Sequence, residues 1–458
     1  MAELVLARPG ISSPGEKHWS KALPLGIGYI AASARAKGIE VAVVDAKLEG
    51  HLTINETVEA IQSHRPAVVG LSALTVEYPR AVEIALRLKR SANSPIVILG
   101  GTHANALPAE SLGDSCAFDY VFAGEAETTL PLIFKTLKSG ATPYSIPGLY
   151  MRSENGTVSV SSPARFEENL EDIPFPAWDL FPRVDAYPIM SERGCPFNCV
   201  FCSHNMTRRV RSRTVEHTMG EIEWLHKNFA PKEIYFEDET FGLHKELSEE
   251  LLRKLIKFNH QAGICFKAQT RVDYVSTSMM RLMRNAGFKY VELGVESGDA
   301  GVLASSGKGI NLEQIEKAIT ILKEQGIKIW LNLIIGLPGE TRHTVRNTID
   351  LAVKINPERL SVAVITAYPG SKVFEWACEQ KNGYRLISKD WSQFDKYLSA
   401  SVELEHLSYR TMRRLQIQTY LETYLRNLRL MDLTKMLWEN RSLMLSFGRS
   451  IILSASRR

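Results

Sequence analysis

Short β-rich runs alternate with stretches of helical spacing along most of this 458-residue chain, and they do so in two series separated by a cluster of prolines. In the first series Glu3 to Ala7, Glu40 to Val44, Ala67 to Leu71, Ile96 to Leu99 and Tyr120 to Phe122 read as strands, with Gly26 to Lys37 and Tyr78 to Ser91 among the helices. Alternation of this kind gives a parallel sheet covered on both faces, a doubly wound domain over residues 1–143. Pro174, Pro176 and Pro182, with Pro188 just beyond, break the pattern and mark 144–186 as an extended connection. The second series, 187–400, offers Tyr187 to Ser191, Glu233 to Glu237, Cys265 to Thr270, Tyr290 to Gly294, Lys328 to Ile335 and Leu360 to Ile365 as strands. Six βα units fall two short of a closed barrel, so the expectation is a partial (β/α)6 barrel of TIM type with its site at the strands' C-terminal ends. Residues 401–458 read as a helical region, and from Leu407 onward it carries ten basic side chains against three acidic.

Composition narrows the function classes. With 45% hydrophobic and 23% charged residues the chain is neither disordered nor fibrous. A net charge of +4 gives no overall field toward nucleic acid, so no specific nucleic-acid partner is expected. Arg208, Arg209, Arg211 and Arg213 form one dense basic run, read as a solvated or phosphate-facing loop because no aromatic residues interleave with it. The start of the chain lacks the basic-then-apolar order of an export signal, and no apolar run nears the roughly 18 residues of a transmembrane segment, which points to the cytoplasm.

Cysteine usage is the sharpest chemical signal. Three of the six cysteines lie in Cys195-Pro-Phe-Asn-Cys199-Val-Phe-Cys202, on the loop leaving the first strand of the second series. Thiolates are the usual ligands of zinc and of iron–sulfur clusters. A zinc site with His204 as fourth ligand is the plain alternative, but zinc sites normally pair their ligands as two close doublets around a long spacer. Three cysteines on a cluster leave one iron open to a ligand from outside the protein.

This spacing at the head of a partial barrel, with Phe201 just before the third cysteine, resembles the radical S-adenosylmethionine enzymes. The resemblance implies a 4Fe-4S cluster on Cys195, Cys199 and Cys202 that reductively cleaves S-adenosylmethionine to a 5′-deoxyadenosyl radical. It also implies an external one-electron reductant such as a flavodoxin or ferredoxin. Phe236-Glu237-Asp238-Glu239-Thr240 stands where the family often has Gly-Gly-Glu to hold the methionine amine, and which of Glu237, Asp238 and Glu239 does so stays open. Leu293-Gly-Val-Glu296-Ser297-Gly298 is similar to the segment that contacts the cofactor's ribose or methionine part. Ile334-Ile-Gly336-Leu-Pro-Gly339-Glu340 and Ala367-Tyr368-Pro-Gly-Ser371 resemble the adenine-flanking segments. Arg271 and Asp273 end the third strand, as active-site groups or as a rim ion pair.

In the first domain, Gly70-Leu-Ser72-Ala-Leu74-Thr75 and Leu99-Gly100-Gly101-Thr-His103 end successive strands, where small residues leave a slot for a flat group. With Leu23-Pro-Leu-Gly26 and Gly124-Glu125-Ala-Glu127 they resemble the Rossmann-like cobalamin-binding domain fused to many of these enzymes. Ser72, Leu74, Gly100 and Gly101 would line the pocket for the dimethylbenzimidazole tail. The Asp-x-His-x-x-Gly that the methionine-synthase type of this domain carries after its first strand is absent, and Asp45-Ala-Lys47-Leu-Glu-Gly50, after the second strand, carries Lys for His, so the expectation is cobalamin without a histidine ligand. The implied function is C-methylation of an unactivated carbon on a small-molecule or lipid-like substrate. A radical cyclase, dehydratase or rearrangement enzyme without methyl transfer is the alternative within enzymes, and a non-catalytic cobalamin or redox sensor the alternative outside them.

Overall fold

The computed structural model describes residues 2–11, 22–49, 52–113, 115–203, 207–397 and 400–439. His204, Gly50, the segment 12–14 and residues 440–458 of the basic C-terminal region lie outside the described residues. Among the described residues the first sheet has seven strands in the order β2-β1-β3-β4-β5-β6-β7. They are β1 (Leu4–Arg8), β2 (Val41–Asp45), β3 (Val68–Ser72), β4 (Ile96–Gly100), β5 (Tyr120–Phe122), β6 (Leu149–Arg152) and β7 (Val158–Val160). The first five are parallel and doubly wound, with the reversal in strand order falling between β1 and β3. Interleaved with them are α1 (Leu25–Ala36), α2 (Ile54–Ser63), α3 (Tyr78–Lys89), the short α4 (Thr102–Ala106) and α5 (Pro108–Gly113), and α6 (Thr129–Lys138).

The stretch expected as a plain connection, 144–186, departs from that expectation at its start: β6 and β7 form a hairpin that extends the first sheet antiparallel to β5. Strands of four and three residues leave too little periodicity to be seen beside the prolines. Beyond them the connection is irregular, with single 3-10 turns at Leu170–Asp172 and Trp178–Leu180, and Trp178 packs into the core at 1% exposure. Gly28 of α1 lets it in, since a Cβ there would lie 2.8 Å from the Trp178 ring.

The second sheet holds β8 (Ala186–Ile189), β11 (Glu233–Phe236), β12 (Cys265–Arg271), β13 (Phe288–Glu296), β14 (Lys328–Ile335) and β15 (Arg359–Val364). All six run parallel and their spatial order is their chain order, the arrangement of a (β/α) barrel lacking two units. Between β8 and β11 lies a ribbon of β9 (Glu192–Arg193) and β10 (Arg211–Ser212). The helices are α7 (Val215–Phe229), α8 (Lys245–Ala262), α9 (Thr277–Ala286), α10 (Ala300–Ser305), α11 (Leu312–Glu324), α12 (Arg342–Ile355) and α13 (Lys372–Glu379). Most start on an N-cap side chain that accepts from the first turn, as Thr214, Ser276, Asp299, Asn311, Thr341 and Ser371 do. Phe236, Phe241, Phe266 and Phe288 form one ring cluster in this core with centroids 5.0–6.2 Å apart, each pair worth about 0.5–1.5 kcal/mol beyond burial.

The C-terminal region adds a hairpin of β16 (Tyr384–Leu386) and β17 (Val402–Leu404) before α14 (Tyr409–Arg426) and α15 (Leu430–Glu439). Of the region expected as helical, 401–458, the described residues are strand at Val402–Leu404 and helical within 409–439. Among the described residues no helix is long and apolar enough to cross a membrane. Trp391, in the β16–β17 connection, reaches the first domain, where its ring lies 5.1 Å from that of His103.

Candidate functional site

The cysteine loop leaves the barrel through the β9–β10 ribbon. Gly194 follows β9 at φ +102°, and a Cβ there would stand 2.4 Å from the Arg209 carbonyl oxygen, so only glycine fits. Cys195 N donates to Thr207 O at 3.3 Å and Cys202 N to Cys199 O at 3.2 Å. The middle of the loop is docked on two helix ends, the C-cap of α10 and the first turn of α13: Val200 N donates to Ser306 O at 3.0 Å, and Val200 O accepts from Val373 N at 3.1 Å. The Arg271 guanidinium lies 3.5 Å from the Phe197 ring centroid, forks onto Asp273 at 3.0 and 2.9 Å, and donates to Lys308 O at 2.7 Å. Arg271 and Asp273 are thus an ion pair that also braces the loop.

Cys195 and Cys199 are half-buried, Cys202 is exposed, and none of the three is in a disulfide. Burial pushes the Cys199 thiol up to about 11, while the nearby Lys308 ammonium works in the opposite direction. Among the described residues no three His, Cys, Asp or Glu side chains converge as one shared metal ion requires. Three thiolates on three different irons need no such convergence, and the donor set fits a cubane with one iron left over. Phe201 is partly buried and packs on the barrel core beside the last cysteine.

The three acidic residues after β11 separate into different roles. Asp238 is 2% exposed and accepts from Ser191 N at 2.7 Å, from Glu192 N at 3.2 Å and from the Ser191 hydroxyl. Burial raises it to about 7, and its bonds tie the end of β8 to β11. Glu239 accepts from Gly194 N at 3.2 Å, beside Cys195, and burial raises it too. Glu237 is half-buried and raised to about 7 by burial, with Arg8 at the end of β1 pulling it back. Arg8 ends β1 and Glu237 follows β11, so the C-terminal ends of these two strands lie near enough for their charges to act on one another.

A β-bulge at Val295 re-aims the end of β13, and Glu296 sits at φ +69°. Its carboxylate pairs with the Lys308 ammonium, both side chains 8% exposed, and a Cβ on Gly294 would collide with that pair. Ser297 is fully buried, its hydroxyl 3.1 Å from Thr348 Oγ1 and accepting from Asp299 N at 3.2 Å, which docks α12 on the strand end. Gly336 at φ +103° has its Cβ direction filled by Ile365 and Met412, so close packing on the protein side demands glycine there. Glu340 accepts from Gly336 N and, at 3.2 Å, from Leu337 N, its other oxygen is buried without a partner, and burial raises it to about 8. Tyr368 is partly buried on the barrel core, near Asp395.

In the first domain the two glycines differ. Gly101, at φ +91° and ψ −174°, would place a Cβ 2.7 Å from Ala73 N, and the β3 and β4 ends are stitched there by Ala73 N to Gly100 O at 3.1 Å and His103 N to Ala73 O at 3.2 Å. Gly100 is half-buried, yet nothing lies within 4 Å of where its Cβ would be. Beside it Ser72 is half-buried and Leu74 is 40% exposed, an apolar side chain left at the strand-end edge. An open cradle with an apolar wall fits a flat cofactor tail. His103 is not on that edge: it is 1% exposed, stacked on Tyr78 at 4.0 Å, and held neutral by burial.

Sequence reading missed Lys308, a single lysine in a turn, and misplaced half of the basic run. Arg208 and Arg209 are exposed, but Arg211 and Arg213 are buried at 5% and 6%, paired to Glu125 and Glu221. Only the glycine at Gly294, inside an otherwise bulky strand, hinted at the buried pair it accommodates.

The radical SAM superfamily model matches residues 190–352, and the B12 binding domain model matches residues 20–134. The chain is 30% identical over 414 residues to the uncharacterized methyltransferase PH0819 of Pyrococcus horikoshii, spanning 88% of each protein. It is 28% identical over 391 residues to the anaerobic magnesium-protoporphyrin IX monomethyl ester cyclase of Rubrivivax gelatinosus, spanning 81% of this chain and 69% of that one. Among solved structures, the radical S-adenosylmethionine methyltransferase TsrM of Kitasatospora setae, with cobalamin and a 4Fe-4S cluster bound, superposes with a TM-score of 0.73 at 16% identity, covering 93% of this chain and 89% of that one.

Proposed function

Because this chain belongs to the radical S-adenosylmethionine superfamily, in the group whose members carry a B12 binding domain, we propose that it methylates an unactivated carbon of a small-molecule or lipid-like substrate. The observation that carries the reading is the set of buried ion pairs from Arg193 and Arg211, at the neck of the cysteine loop, to Glu125 and Glu127 just after β5: they hold the domain that would carry cobalamin against the cysteine loop, so one bound substrate can face both cofactors. When bound, the cluster with S-adenosylmethionine supplies hydrogen abstraction by a radical, and cobalamin supplies the methyl group. Cys195, Cys199 and Cys202 would hold the cluster. Glu239, next to Gly194, is the carboxylate best placed for the methionine ammonium, since Asp238 is committed to Ser191 and Glu192. Glu237, half-buried just beyond β11, would take a substrate hydroxyl, since its burial disfavours charge. Ser72, Leu74 and Gly100 would take the cobalamin tail, with Gly101 keeping the adjoining backbone closed. The reductant would be a flavodoxin or ferredoxin in the cytoplasm.

The relation to a cyclase favours one second reading, radical chemistry without methyl transfer. Product counting under strictly anaerobic, reducing conditions separates the two. Methylation consumes S-adenosylmethionine in two ways, and both 5′-deoxyadenosine and S-adenosylhomocysteine appear. Sustained 5′-deoxyadenosine without S-adenosylhomocysteine, in the presence of bound cobalamin, selects the second reading and rejects the first.

A further inference from the structure

The β9–β10 ribbon that forms the neck of the cysteine loop is two residues long on each strand, and its two faces answer to different parts of the molecule. Arg193 and Arg211 are cross-strand partners and share one face; Glu192 and Ser212 share the other. On the barrel side, Glu192 and the Ser212 hydroxyl meet His244 at the start of α8, each at 2.7 Å. On the opposite side both arginines enter the loop after β5 of the first domain. Arg211 forks onto Glu125 at 2.7 and 2.8 Å, and Arg193 reaches Glu127 at 2.8 Å and Glu125 at 3.4 Å. These four side chains are between 4% and 7% exposed. Burial works against the charge on Glu125, but the Arg211 bonds and the Arg193 charge outweigh it and hold the carboxyl below its usual range. Arg193 also lies over the Tyr29 ring of α1 at 5.2 Å.

We propose that Arg193 and Glu127 are positioning residues that fix where Cys195, two residues beyond Arg193, stands relative to the first domain. Apolar residues of equal volume would hold two domains together at least as firmly as buried ion pairs do. What the paired forks add is one allowed geometry. The neck passes that geometry on, because Gly194 N is bonded to Glu239 and the Arg209 carbonyl oxygen would stand 2.4 Å from a Cβ on Gly194, so the strand crossing is closed at that point. The distance from the cysteine loop to the strand ends β1, β3 and β4 is thereby set by the first domain and not by the barrel alone.

This inference rests on the reading of the loop as cluster-binding, and the test keeps the two apart. The full-length chain is compared with Glu127→Gln and Arg193→Lys, first without cofactors by hydrogen exchange and then after anaerobic reconstitution with iron and sulfide. In the cofactor-free chain, amides of 194–203 should exchange about tenfold faster in either variant while those of β13 stay unchanged, because a local opening has become easier. After reconstitution, the reduced cluster's electron paramagnetic resonance line shape should change and iron loss to a chelator should accelerate by a similar factor. Exchange that rises equally in β13 and in 194–203 shows a merely structural pair and overturns the proposal, as does an unchanged spectrum with an unchanged rate of iron loss. Should Glu127→Gln fail to fold, Arg193→Lys, which keeps the charge and loses only the fork, decides both arms. A wild-type chain that takes up no cluster rejects the cluster reading, and the exchange result still decides the positioning role.

Discussion

The strand-end edges of the two sheets are built on opposite plans. At the barrel edge the candidate ligands are side chains with chemistry of their own, and each is braced: the cysteine loop by Gly194, Arg271 and the Ser306 carbonyl, Glu296 by Lys308, Asp238 by two backbone amides. At the first domain's edge the candidates are two glycines, a serine and an exposed leucine, and what they offer is an open cradle at Gly100. One edge selects by donor atoms and the other by shape. Substitutions should therefore fail differently at the two, which gives the contrast its tests.

The largest effect belongs to the cysteines. Replacing Cys195, Cys199 and Cys202 together by Ala should take iron from about four per chain to background in the reconstituted protein. Cobalt content after incubation with hydroxocobalamin should not change; simultaneous loss of cobalt would mean that the edges are not independent. The glycines come next, and they should part company. Gly100→Trp adds bulk where nothing lies within 4 Å, so it should abolish cobalamin retention while leaving iron and melting temperature near wild type. Gly101→Ala forces an L residue into a conformation that glycine alone tolerates and presses a methyl on Ala73, so it should cost about 1–3 kcal/mol of stability, read in a denaturant titration. Equal cobalt loss with equal destabilisation in both would erase the distinction between cradle and seam.

Within the barrel edge, Glu239→Gln should weaken S-adenosylmethionine binding about tenfold by calorimetry, as loss of a charge-assisted bond does. Asp238→Ala should instead lower stability by about 1–3 kcal/mol, because the Ser191 and Glu192 amides lose their acceptor. Reversed outcomes would exchange their roles. A further test is a pH dependence. Burial raises Glu340 from 4.5 to about 8, so the unfolded chain ionises first; stability from this residue is complete below pH 4.5 and declines as pH rises toward 8. Glu340→Gln should remove that part of the fall in melting temperature, and an unchanged profile would assign the slope to other groups.

Most of this architecture was legible because its strands are near-continuous apolar runs bounded by turns, as at Lys328 to Ile335, where reading and structure coincide. What escaped lacks such a run. β9 and β10 consist of charged and polar residues, two apiece, and the partners of Arg193 and Arg211 lie far away in the sequence. Arg211 meets Glu125 across 86 residues of sequence, and no local pattern tells a buried, paired arginine from a solvated one. The cysteine spacing spoke plainly because it is local. Lys308 did not, since its pairing with Glu296 becomes visible only once a bulge has turned the strand end.

Trp391 leaves the C-terminal hairpin, packs among Phe374 and Phe394 at 6.2 and 4.7 Å, and ends against His103. The first domain looks like a cassette, contiguous in sequence and complete in its sheet, and an engineer would exchange it between relatives by cutting within the proline-rich stretch. That chimera would carry a foreign surface under Trp391 and foreign acids beneath Arg193. A working transplant must therefore bring along the β16–β17 connection from the same parent, making the exchangeable unit discontinuous in sequence: residues before the barrel together with a short piece after it.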